Sequence, residues 1–207
     1  TVDDLWQPQN KGKIIVLSEM RDTIGVILLS QGIKPETVTE DQFMNAVDFM
    51  AKKIKDGWIR GVKGNEYKED LISGDATAVI AWSGDLFQLS SENEGKFDFA
   101  IPESGGTISG DNFLIPSTAN ADGKANAEKL INYYYEPSVA AEVAAYVNYV
   151  TPVQGAQAEM EKIDPKLAKS EYIFPTKATL NRLHVFKALS PAEESKWTEA
   201  FQAAAGN

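Results

Sequence analysis

The chain has 207 residues, 43% of them hydrophobic and 24% charged, with 30 acidic against 20 basic side chains and a formal net charge of −10. This ordinary globular composition argues against a nucleic-acid binder, which needs a basic footprint, and disfavours anionic membranes and substrates. It is compatible with a cationic ligand, whose local concentration a negative potential raises, and equally with an acidic surface that only confers solubility.

There is no apolar run of about 18 residues, so no transmembrane helix is expected, and no signal peptide is legible at Thr1. Residues 1–11 are polar and irregular, with Leu5 and Trp6 as docking points. Ile14-Ile15-Val16-Leu17 is a continuous apolar run, the pattern of a strand buried on both faces of a parallel sheet. S-E-M-R-D at 18–22 follows directly, and Ile24, Ile27 and Leu28 then predict a helix over 21–31 that Gly32 stops. Asp22 thus lies at a strand-to-helix junction. It either faces a ligand outside the carboxyl end of a strand or complements the helix dipole.

Thr39-Glu40-Asp41-Gln42 is a capping box opening a helix with Phe43, Val47, Met50 and Ile54 on one face. Residues 58–62 predict a short strand, and Asn65 a cap for a helix carrying Tyr67, Leu71 and Ile72 inward. Residues 76–82 predict a second clear strand, ending at Trp82. An aromatic at that position is either core filling or the wall of a site. A helix signal follows, then a strand at 97–102, giving a β-α-α-β-α-β order and an α/β class.

Residues 104–116 read S-G-G-T-I-S-G-D-N-F-L-I-P: three glycines, one acid, Asp111, and a strand signal over 112–115 closed by proline. Such a stretch is expected to cross between two bodies and to hold a ligand-facing acid. Helices are expected over 124–135, with Ala127, Leu130, Ile131 and Tyr134 inward, and from Pro137, with Val139, Val143, Tyr146 and Val147 inward. Residues 148–153 are extended and 155–162 a short helix. Residues 164–189 are ambiguous. Ser190 opens a last helix with Trp197, Ala200 and Phe201 inward.

Catalytic motifs are absent: no phosphate loop, no G-x-G-x-x-G, no H-E-x-x-H and no G-x-S-x-G. Without cysteine, and with His184 as the one histidine, a disulfide framework, a thiol nucleophile and a histidine-ligated metal cluster are excluded. Asp22 and Asp111 could serve a carboxylate-based hydrolase, but nothing in the sequence sets their separation. Acids and aromatics stand instead at turning points: Asp22, Trp82, Asp111 and Tyr149. That set suits an organic cation, with carboxylates for ammonium groups and aromatic faces for cation–π contact and methylene packing.

An ordered set of motifs carries a resemblance. It comprises D-L-W at 4–6, K-G-K at 11–13, M-R-D at 20–22 and A-V-I-A-W-S-G at 78–84. It continues with I-P-E-S-G-G at 101–106, D-N-F-L-I-P at 111–116, A-E-K-L-I-N-Y-Y-Y-E-P-S-V-A at 127–140 and Y-V-T-P-V at 149–153. In order and spacing it resembles the spermidine/putrescine-binding (polyamine) family of bacterial ABC-transporter solute-binding proteins, lacking most of the N-terminal lobe.

The resemblance implies an α/β type II periplasmic-binding-protein fold, one lobe plus part of the second. Residues 1–105 and 158–207 would form the C-terminal α/β lobe, and 106–157 the crossing strands and the returning segment of the N-terminal lobe. It implies a non-enzymatic protein without cofactor, periplasmic or extracellular and lipid-anchored in full length. The ligand would be a small cation, a polyamine, with an ABC permease in the membrane as partner; helices over 124–147 would favour self-association.

The same resemblance matches Trp82 to an aromatic that packs on polyamine methylenes, Asp111 to an acid that binds an amino group, and Tyr149 to a binding tyrosine. Asp22 falls where the family has a glutamate. Ser109 replaces an expected tryptophan and Ser18 an expected aspartate, which favours a shorter or less charged ligand. The same fold with another solute (a sugar, thiamine, a ferric complex) is the alternative.

Overall fold

The computed structural model describes residues 1–206. In chain order its elements are β1 (Ile14–Leu17), α1 (Met20–Ser30), α2 (Glu40–Lys55), β2 (Ile59–Lys63), α3 (Tyr67–Ser73), β3 (Ala78–Val79), α4 (Ser83–Glu92) and β4 (Gly106–Thr107). There follow α5 (Ala121–Tyr134), α6 (Pro137–Val147), α7 (Ala156–Ile163), α8 (Lys177–Leu180), β5 (Leu183–His184) and α9 (Pro191–Ala205). The chain forms two compact units, one of Thr1–Ala81, Ala100–Ser109 and Arg182–Asn207, the other of Trp82–Phe99 and Gly110–Asn181. Residues 82–99 and 158–181 therefore pack with the 110–157 region, a different segmentation from the one the resemblance implies.

The first unit is built on a parallel sheet in the order β2-β1-β3. All four residues of β1 are buried, as expected of a central strand covered on both faces. Beyond the ladder, β1 is held by Thr77 N–H to Lys13 O at 2.9 Å and Ile80 N–H to Ile15 O at 3.0 Å. The capping box of α2 is present, with Thr39 Oγ1 accepting from Gln42 N–H and Gln42 Oε1 from Thr39 N–H. That of α9 is present with Ser190 and Glu193. These caps place Phe43 and Trp197 face to face, ring centroids 4.2 Å apart, in a core with Ile14, Val16, Ile24 and Met50. The Trp197 Nε1–H is buried there without a hydrogen-bond partner among the described residues.

The second unit is helical. The core around α6 and α7 is made of Ala140, Ala141, Ala144, Ala156, Met160, Ala168 and Ile173. The α5 helix is capped by Asn120 Oδ1, which accepts from Gly123 N–H at 2.7 Å, and has no fully buried residue.

Several expectations are corrected. Residues 97–102 and 112–115 are not strands, and of 76–82 only Ala78–Val79 pairs. The 112–115 segment has no partner strand among the described residues, and Phe113 and Leu114 are exposed. The helix at 67 is preceded by Glu66, with no side-chain cap from Asn65. Ile72, Leu130 and Tyr146, expected inward, are exposed. On α6 the alanines face the core, because α7 packs against the narrow side of that helix.

Candidate functional site

The sheet positions the first group of residues. β1 ends at Leu17, and the Ser18 N–H donates to Lys63 O at 2.9 Å, so strand pairing continues to the mouth of the following loop. Thr23, buried in the first turns of α1, donates its hydroxyl to Leu17 O at 2.7 Å. That bond ties the helix start to the strand end and fixes Asp22 between them. Asp22 Oδ1 faces the Thr107 hydroxyl of β4 at 3.5 Å. β4 reaches α1 this closely because position 25 is glycine: a Cβ there would collide with Thr107 Cγ2. Asp22 therefore sits at the carboxyl edge of a parallel sheet, where α/β proteins place ligands.

The second group lies in the helical unit. Trp82 is the residue that leads into α4, in extended conformation, with its carbonyl accepting from Leu86 N–H at 3.3 Å. Gly84 and Asp85 occupy the first turn of that helix. The Tyr149 ring rests against Gly84, so closely that a Cβ at 84 would overlap the ring. Its hydroxyl donates to Asp85 Oδ1 at 3.2 Å. Gln88 of the same helix donates to Tyr146 O and Val147 O at 3.3 Å, holding the end of α6 and hence the tyrosine's entry to its place.

Burial pushes the Tyr149 phenol well above its ordinary range, and the Asp85 carboxylate and, more weakly, the Asp111 charge push the same way. A negative potential thus bathes an aromatic face, the environment that attracts an organic cation.

Trp82, Asp111 and Tyr149 fall in the helical unit and Asp22 in the sheet-bearing one. Asp85 was not among the residues singled out from the sequence. Its signal was an acid in the first turn after a predicted strand, three residues beyond Trp82, a position that helix-dipole complementarity explains equally well. His184 is engaged with Glu36, Nδ1 to Oε1 2.7 Å.

The model of the family described as bacterial extracellular solute-binding protein matches residues 1–173. The spermidine/putrescine-binding periplasmic protein of Escherichia coli (strain K12) is 25% identical over 177 residues, which cover 86% of this chain and 49% of that protein. The putrescine-binding periplasmic protein PotF of the same organism is 24% identical over 209 residues, covering 96% and 55%.

Among solved structures, a Listeria monocytogenes chain provisionally described as a spermidine/putrescine ABC transporter superposes with a TM-score of 0.83 at 29% identity, covering 99% of this chain and 61% of that one. The spermidine/putrescine ABC transporter substrate-binding protein PotD of Streptococcus pneumoniae superposes at 0.77 with 24% identity, covering 98% and 60%. The α/β periplasmic-binding-protein fold expected from the sequence is therefore established over the part of those structures that the chain covers. The chain spans about half the length of the curated relatives it matches.

Proposed function

This chain belongs to the bacterial extracellular solute-binding protein family, and we propose that the protein carrying it captures a polyamine, putrescine or spermidine, outside the cytoplasmic membrane and delivers it to an ABC permease. The relatives named above bear polyamine-binding names, and the side chains present suit that chemistry. The observation that carries the reading is the Tyr149 hydroxyl bonded to Asp85 with its ring against Gly84, one helical turn from Trp82. A carboxylate and aromatic surface are held side by side there, as a methylene chain with charged ends requires.

In this reading Asp111 supplies a carboxylate for an amino group, Trp82 and Tyr149 pack on the methylenes, and Asp85 orients Tyr149 and adds negative potential. Ser18 and Ser109, where the resemblance implies an aspartate and a tryptophan, favour a diamine over a longer polyamine.

The test is titration of putrescine into the product of the complete gene, with Asp111→Asn beside it and ionic strength varied. The expected result is saturable binding that weakens with salt and falls about 10-fold or more in the variant, the loss of one charge-assisted hydrogen bond. Affinity indifferent to salt and to Asp111→Asn, or preference for a neutral sugar, would sink the polyamine reading.

A further inference from the structure

The α6 helix ends at Val147, and a helix end leaves its last carbonyls in need of donors. Here a neighbouring helix supplies one. Gln88 of α4 donates through Nε2 to Tyr146 O and to Val147 O, both at 3.3 Å. The next residue, Asn148, turns the chain in the left-handed region, with φ 60° and ψ 27°. Among the described residues only Glu94 is a second non-glycine with positive φ. Asparagine tolerates that region better than most side chains, whereas a β-branched residue does not. Asn148 is buried, its backbone N–H donates to Ala144 O at 2.9 Å, and its Nδ2 donates to Tyr146 O at 3.4 Å. The Tyr146 carbonyl thus receives two side-chain amides, from positions 88 and 148.

Tyr149 follows directly. Three of its ring carbons crowd the place where a Cβ at Gly84 would stand, and its hydroxyl donates to Asp85. Positions 84 and 88 are four apart on α4 and share a face, with 85 beside them. That face therefore holds the ring, the hydroxyl and the backbone just before them. A left-handed residue is also an ordinary helix stop. This one differs in that the residue after it is pinned to the same helix that caps the one before it.

We propose that Gln88 and Asn148 are positioning residues for solute binding: together they fix the chain between α6 and Tyr149, so that the tyrosine lays one ring face on α4 and offers the other to the solute. The inference rests on the cation-binding reading above. An amide and a turn that only ended α6 would affect stability and leave affinity unchanged.

The experiment uses the complete gene product, with folding checked by circular dichroism and putrescine affinity measured by calorimetry. Gln88→Met keeps the length of the side chain and removes its donor. Asn148→Gly keeps the turn, and Asn148→Val strains it. Gln88→Met is also made in a Tyr149→Ala background, closing a double-mutant cycle. The Tyr149 ring signals, recorded with 13C-labelled tyrosine and identified by their loss in Tyr149→Ala, report its placement.

Gln88→Met and Asn148→Val are each expected to weaken putrescine binding about five-fold, the ordinary worth of one hydrogen bond, and to shift the Tyr149 signals. Asn148→Gly should bind within about two-fold of the wild type, since glycine adopts the same turn. On the Tyr149→Ala background Gln88→Met should cost nothing further. An equal loss on both backgrounds, or Tyr149 signals unmoved by Gln88→Met, would overturn the proposal. Absence of putrescine binding by the wild type would instead overturn the cation reading, and the ring signals would then decide whether Gln88 and Asn148 place the tyrosine.

Discussion

In the sheet-bearing unit the core is built from large side chains, Ile14, Val16, Ile24, Phe43, Met50 and Trp197 among them, whereas the helical unit packs α6 and α7 around five alanines with Met160 and Ile173. Several large apolar residues of the helical unit lie outside: Leu114 is 86% exposed, Tyr146 84% and Leu130 69%. A large buried side chain contributes about 1.5–3 kcal/mol through apolar area. An alanine contributes far less, but lets two helix backbones approach. The first unit is thus organised to hold a rigid sheet edge, the second to hold short helices whose outer face stays available. Exposed apolar surface of this kind marks a surface that other surfaces meet.

The comparison is broken most severely by emptying the first core. Phe43→Ala removes a fully buried ring stacked on Trp197 and is expected to cost about 3–5 kcal/mol, read as a lowered denaturant midpoint. The same truncation at Met160, in the alanine core, should sit lower in the ordinary range for such losses, about 2–5 kcal/mol, if that core closes around the gap.

Next in size is Gly84→Ala, which puts a methyl into the Tyr149 ring and should cost about 1–3 kcal/mol. It should also break the Tyr149–Asp85 bond, so that the phenol ionises closer to its ordinary range in a spectrophotometric titration. The sign follows from the raised phenol pKa. The stability it reports is fully present below the unfolded value near 10 and is lost as pH rises beyond it.

Smaller effects separate the helix starts. Ser190→Ala removes the α9 cap and should cost about 1 kcal/mol, measured by thermal unfolding. The Glu193 carboxyl of the same box is lowered to about 2 by the Ser190 backbone N–H, then Lys187 and the Ser190 hydroxyl. Its contribution is present above the ordinary glutamate range and is lost as pH falls toward 2. The smallest effect belongs to the outer face. Leu130→Gln should change stability by no more than about 0.5 kcal/mol, while weakening any self-association of the chain seen in sedimentation. An unchanged association constant would remove α5 as the contact.

The sequence was most legible where one interaction dominates locally. The apolar run 14–17 and the Thr39 and Ser190 capping boxes are determined within a few residues, and all three form as expected. It was least legible where pairing partners decide. Residues 97–102 and 112–115 have strand composition but no neighbouring strand among the described residues, and they stay unpaired. On α6, periodicity alone could not tell whether the valine or the alanine side packs, since both recur at helical spacing. Trp82, Asp111 and Tyr149 could be nominated from the sequence because each stands where the chain turns. Asp85 could not, because only the folded chain brings the Tyr149 hydroxyl to it across 64 positions.

The most direct test of the account is calorimetric titration of putrescine and spermidine into the complete gene product, with Tyr149→Phe and Asp85→Asn in parallel. The account predicts saturable binding by the wild type, tighter for the diamine, with affinity reduced by both substitutions while the fold is retained. No binding of either amine by the folded wild type would contradict it.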